Sequence, residues 1–113
     1  MKNDGISLVI DTTSIEPVKF AITGSTTGGI NATLVNVDGA KGLVTTIIHI
    51  AAGARIPAHF HNDGAEAHYV LEGDFINAGV TLGPGAFVTH PVGVVHGPHE
   101  SKGGCKILTL QTA

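Results

Sequence analysis

The sequence predicts an all-β protein, a sandwich or barrel of which the jelly roll is one form. Three observations carry that prediction. Short segments rich in β-branched residues recur along the chain, separated by Gly, Pro, Asn and Asp. Glycine is abundant, with 16 copies in 113 residues, and charged residues make up only 13%, a mixture that suits short strands and tight turns. No stretch sustains a helical period.

The expected elements follow in order. Residues 6–10 are apolar and β-branched, and 30–37 alternate until the turn at Asp38-Gly39. Residues 43–50 are rich in β-branched side chains and run into Gly53, and 56–60 bring in the first histidines. Residues 67–71 form a strand closed by Glu72-Gly73-Asp74. A strand pair over 75–80 leads to the turn Gly83-Pro84-Gly85. Residues 86–90, 94–99 and 106–111 complete the series, with Pro91 and Gly93 stopping the first of these.

The length suits one domain over residues 1–113, large enough for a real core. The net charge is −3 and no Lys/Arg cluster exists, which argues against nucleic-acid and anionic-membrane binding. The apolar runs are too short to span a bilayer. The opening Met1-Lys2-Asn3-Asp4-Gly5 lacks the apolar segment that export needs, so a cytoplasmic location is expected. The lone Cys105 cannot form an internal disulfide and is expected to be a buried strand residue beside Ile107 and Leu108.

Two stretches carry the chemistry. The first is Gly53-x5-His59-x-His61-x4-Glu66-x6-Gly73, and the second is Gly85-x5-Pro91-x-Gly93-x2-His96. His59 and His61 are two apart, so on a strand they project from one face, roughly 6–7 Å apart at Cα. That spacing lets two imidazole nitrogens converge on one ion, while Phe60 points to the other face. Glu66 follows a turn at Asn62-Asp63-Gly64, so a neighbouring strand can bring its carboxylate to the same place. His96 has to arrive from elsewhere in the barrel. A lone His-x-His pair is weak evidence, but six of the seven histidines fall between His59 and His99, which a solvated surface does not require.

These residues resemble the cupin superfamily. Its first motif is Gly-x5-His-x-His-x(3,4)-Glu-x6-Gly, and Gly53, His59, His61, Glu66 and Gly73 fit every fixed position. Its second is Gly-x5-Pro-x-Gly-x2-His-x3-Asn, which Gly85, Pro91, Gly93 and His96 fit, with Glu100 in place of the Asn. The resemblance implies a cupin barrel, a conical double-stranded β-helix with a metal inside, often assembled as a dimer. It makes His59, His61, Glu66 and His96 the candidate ligands. Within the superfamily, the segment from His96-Gly97-Pro98 through Gly104-Cys105 looks most like two groups. One is the zinc-binding cupin domain of anti-sigma factors, and the other contains acetylacetone-cleaving dioxygenase, which uses iron held by three histidines. Within residues 1–113, the helical sigma-binding domain of a full anti-sigma factor is not expected.

Other residues near the motifs are read from strand parity. His68 shares the face of Glu66 and should point inward, supporting a ligand or contacting substrate as a catalytic group. Tyr69 has the opposite parity and should pack outside. His90 and His99 are expected to be partly exposed at strand ends, and His49 to be structural. Arg55, the only Arg, is a solvated strand residue or an anchor for an anionic or carbonyl substrate. Glu72 and Asp74 are expected to be solvated. Phe60, Ile76, Val80, Phe87 and Val95 are the candidate apolar lining of a pocket.

Three imidazoles and an optional carboxylate suit Fe(II), Mn(II), Ni(II), Cu(II) or Zn(II). The leading expectation is an Fe(II)-dependent dioxygenase acting on a small carbonyl or enol compound. The alternatives are a Zn-binding or sensing module without turnover, and an isomerase or lyase with the metal as Lewis acid and His68 as base. A homodimer is expected, with residues 6–20 pairing across the interface.

Overall fold

A computed structural model of the chain describes residues 7–20, 24, 28–58 and 64–112. Among the described residues, ten strands form two antiparallel sheets. In chain order they are β1 (Val18–Lys19), β2 (Ile30–Asp38), β3 (Leu43–Ile50), β4 (Arg55–Ile56) and β5 (Glu66–Gly73), then β6 (Phe75–Asn77), β7 (Val80–Leu82), β8 (Phe87–His90), β9 (His99–Glu100) and β10 (Cys105–Thr112). The larger sheet runs β1-β2-β3-β10-β5-β8 and the smaller β4-β9-β6-β7. The predicted all-β class holds, and the only helical element among the described residues is a 3₁₀ turn, Thr12–Ser14, capped by Asp11.

Local chemistry accounts for the elements. Six of the eight residues of β3 are β-branched, which suits the pleated backbone, and in β10 alternation buries Cys105, Ile107 and Thr109. The turn after β2 closes when Asp38 Oδ1 accepts the Lys41 N–H at 3.1 Å. Between β6 and β7 the two-residue connection Ala78-Gly79 has φ of 50° and 82°, the geometry of a type I′ hairpin turn. The motif glycines Gly53, Gly73, Gly85 and Gly93 all take positive φ. Gly73 is the most constrained of them, because a Cβ there would lie 2.0 Å from the Gly104 carbonyl oxygen.

The core joins the two sheets through Ile30, Ile48, Ile50, Ala54, Ile56, Val70, Phe75, Cys105 and Ile107. Each aliphatic side chain withdrawn from water here contributes roughly 1.5–3 kcal/mol. Phe75 is wholly buried, and Cys105 sits among the apolar residues as expected. Burial pushes the Cys105 thiol pKa up from its ordinary value.

Several sequence expectations are corrected. Residues 7–10 form no strand; the strand in this segment is β1, which pairs with β2 through Val18↔Ala32 and Lys19↔Asn31. β4 is only two residues long, and Phe60 lies outside the described residues. Residues 94–98 are not strand. Gly93 turns the chain, the Gly97–Pro98 peptide bond is cis, His96 makes an isolated bridge, and the strand shrinks to His99–Glu100, β9. Asp74 is not simply solvated: it accepts from Ser101 Oγ at 2.8 Å, Lys102 N at 2.8 Å and Gly103 N at 2.9 Å, tying β6 to the loop before β10. Those donors hold its carboxyl below the usual carboxylate range. Among the described residues, no helix is long and apolar enough to cross a membrane.

Candidate metal centre

The register of the larger sheet sorts its inner face by polarity. On the cross-strand row nearest the core, Ile48, Ile107 and Val70 face one another. The next row is Thr46, Thr109, His68 and Val88. The row beyond it is Val44, Gln111, Glu66 and His90. Alternation along β5 thus buries Glu66, His68 and Val70 on one side and leaves Tyr69 exposed on the other. Both the inward His68 and the outward Tyr69 match the sequence reading.

The loop after β8 and strand β9 bring His96 and His99 against this face. Glu66, His68, His90, His96 and His99 are all buried. Glu66 Oε1 lies 2.9 Å from His68 Nε2 and 3.2 Å from His96 Nε2. Ligand atoms from Glu66, His96 and His99 all lie within 4.8 Å of one another. The His96 ring stacks on His90 with centroids 4.3 Å apart, and His99 lies 5.5 Å from His96. Phe75 packs on His99 at 5.1 Å and on the edge of His68 at 5.6 Å.

A buried carboxylate is costly unless it is paired, and here it is surrounded by imidazoles. One carboxylate oxygen and several imidazole nitrogens converging in a buried space form a donor set suited to a divalent transition metal. Glu66, His96 and His99 are therefore a possible metal site, and the ligand set does not by itself choose the metal. Glu66 and His96 were expected together. His59 and His61 lie outside the described residues. His90 and His99 are corrections: they are buried in the cluster, not partly exposed at strand ends. The missed signal for His90 was its parity with Val88 and its position opposite Glu66 in register. His99 is 3% exposed, and no local pattern marked it, because the folded-back loop delivers it.

Beside the cluster is a cavity of about 290 Å³. Its walls include Val44, Ile48, Ile56 and Ile107, and Glu66, His68 and His99 face into it. The anticipated lining is largely corrected. Val80, Phe87 and Val95 are 60%, 61% and 63% exposed, while Ile76 is buried. The inner side chains of β8 are Val88 and His90, so Phe87 points out by alternation. Arg55 is exposed and lies 3.9 Å from Glu100 across the β4–β9 pair, as a solvated strand residue would. On the outer face His49 is half-buried, with Thr33 Oγ1 at 3.1 Å.

Solved structures of cupin proteins superpose on nearly the whole chain. An acetylacetone dioxygenase from Acinetobacter johnsonii aligns with a TM-score of 0.76 and 18% identity, over 97% of this chain and 75% of that one. The polyketide cyclase RemF from Streptomyces resistomycificus aligns with a TM-score of 0.77 and 23% identity, over 95% of this chain and 80% of that one. An RmlC-like cupin from Shewanella frigidimarina aligns with a TM-score of 0.75 and 21% identity, over 97% of this chain and 91% of that one. At these identities the likeness establishes the cupin fold. No curated protein sequence matches the chain. Residues 9–113 match the family described as the ChrR cupin-like domain, and with that match spanning both motifs, the chain belongs to this cupin family.

Proposed function

We propose that this protein is a metal-dependent cupin enzyme, specifically an Fe(II)-dependent dioxygenase acting on a small carbonyl or enol compound. In this reading Glu66, His96 and His99, with His59 and His61 of the first motif, are the residues that hold the metal. Fe(II), when bound, would supply Lewis-acid binding of a carbonyl or enolate oxygen and the redox capacity that reaction with dioxygen requires. The observation that carries the reading is the buried carboxylate and imidazoles opening onto a cavity with aliphatic walls. The walls exclude water from a small apolar body, and the polar end faces its oxygens. His68 lines the cavity beside Glu66 and is the candidate for carrying a proton to or from the bound compound. The acetylacetone dioxygenase among the structural neighbours supports the choice of substrate class.

The test is oxygen uptake by Fe(II)-loaded protein across a panel of β-diketones and related enols. Uptake that disappears in Glu66→Ala and His96→Ala supports the proposal, and no uptake across the panel contradicts it. Activity without oxygen would move the assignment to an isomerase or lyase with His68 as base.

A second reading rests on the number of buried donors. Glu66, His68, His90, His96 and His99 together can close a tetrahedral Zn(II) site with no open position, as in a binding or sensing module without turnover. The homodimer expected from the resemblance, and a cytoplasmic location, belong with either reading. Chain mass in solution tests the dimer.

A further inference from the structure

His68 has two ring nitrogens in different surroundings. Its Nδ1 lies 3.0 Å from Thr109 Oγ1, with both residues buried. Its Nε2 is buried, lies 2.9 Å from Glu66 Oε1 and falls short of hydrogen-bond alignment with any acceptor. His68 and Thr109 are directly opposed in the β5–β10 ladder, two residues from the opposed pair Glu66 and Gln111. The Thr109 hydroxyl is thus fixed by the sheet and not by a mobile loop.

The sheet-held hydroxyl fixes the orientation of the ring at Nδ1, and the ring so oriented sets its Nε2 edge 2.9 Å from Glu66 Oε1. Glu66, His68 and Thr109 are all buried, so the carboxylate packs against that ring and its position follows the ring's. We propose that Thr109 is a positioning residue for the metal centre, acting through His68 to orient the Glu66 carboxylate toward the metal. This rests on the reading of Glu66 as a ligand. Neither Thr109 nor His68 occupies a fixed position of the two motifs.

Partners that orient a ligating group raise metal affinity, and their loss typically weakens it by roughly 10–100-fold. Thr109→Val keeps the shape and removes the hydroxyl, whereas Thr109→Ser keeps the hydroxyl. The experiment measures the Kd of the whole protein for Zn(II) by competition with a chromophoric chelator, for wild type, both Thr109 variants and Glu66→Gln. The expected result is about tenfold weaker binding in Thr109→Val, with Thr109→Ser within about twofold of wild type. Unchanged affinity in Thr109→Val, with Glu66→Gln clearly weakened, overturns the positioning role and leaves the metal site standing. Unchanged affinity in Glu66→Gln overturns both. Far-UV circular dichroism verifies that Thr109→Val folds, and Thr109→Ser binding as weakly as Thr109→Val overturns the proposal.

Discussion

His90 stacks on His96, their centroids 4.3 Å apart and their planes 21° from parallel. His90 is anchored in β8 opposite Glu66, whereas His96 sits in the loop that follows. The strand therefore supplies a fixed surface for a ring whose own backbone is irregular. His90→Phe keeps a flat ring and should bind metal nearly as wild type does. His90→Ala removes the surface, and it should weaken metal binding and lower stability by about 1–3 kcal/mol. Chelator competition and urea unfolding measure the two effects. Equal metal affinity in the Ala and Phe variants would contradict this role.

The motif glycines separate into two kinds, and Ala substitutions should show it. At Gly73 a Cβ meets both positive φ and the Gly104 backbone, so Gly73→Ala should cost about 3 kcal/mol or more. At Gly85 the φ is 93° but the space is open, so Gly85→Ala should cost only about 1 kcal/mol. Ala78 presents the reverse case, with φ of 50° in the β6–β7 turn. Ala78→Asn should stabilise the protein by roughly 0.5 kcal/mol. Chemical unfolding of the three variants checks the order.

Acid should loosen the loop before β10. Asp74 has its carboxyl held below the ordinary value of 3.8, first by the Lys102 and Gly103 N–H groups and then by Ser101. A depressed folded value means that the unfolded chain binds the proton more readily. The stabilisation is therefore full above about pH 4 and is lost as pH falls through the folded value. Asp74→Asn should melt lower than wild type at pH 7, and the gap should shrink below pH 4. His49 acts with the same sign at higher pH. Burial and then the Lys106 charge lower its value from 6.5, so its contribution is complete above about pH 6.5 and declines on acidification. Thermal melts from pH 3 to pH 8 measure both, and a gap for Asp74→Asn that persists undiminished at pH 3 would contradict the assignment.

Cys105 should be inert in the folded state. It is buried, and desolvation raises its pKa, so little thiolate forms and reagents have no access. Disulfide exchange with a chromogenic reagent should be slow in buffer and immediate in denaturant. Rapid reaction in buffer would mean that β10 opens readily.

Most of the fold was legible because it is written in local signals. β3 spans the anticipated residues 43–50, and the alternation that placed His68 inward and Tyr69 outward depends only on the pleat. The Gly-rich turns at 73 and 83–85 fall where expected. What was not legible depended on long-range delivery. Residues 94–99 open on the β-branched Val94-Val95 and read as a strand, but Gly93 and Gly97, both at positive φ, bend them into a loop that brings in His96 and leads to His99 in β9. Val80, Phe87 and Val95 were assigned inside on hydrophobicity alone, and exposure of single apolar residues is ordinary on a small domain. Asp74 read as a solvated turn residue because its partners lie far along the chain, at 101–103.

The most direct test of the account is metal content per chain, measured on untagged protein after reconstitution, beside His96→Ala/His99→Ala and His59→Ala/His61→Ala with folding verified by far-UV circular dichroism. The account predicts close to one divalent transition metal per wild-type chain and substantial loss in His96→Ala/His99→Ala. Full occupancy in that variant would remove His96 and His99 from the site, and no metal in the wild type would contradict the metal-dependent reading altogether.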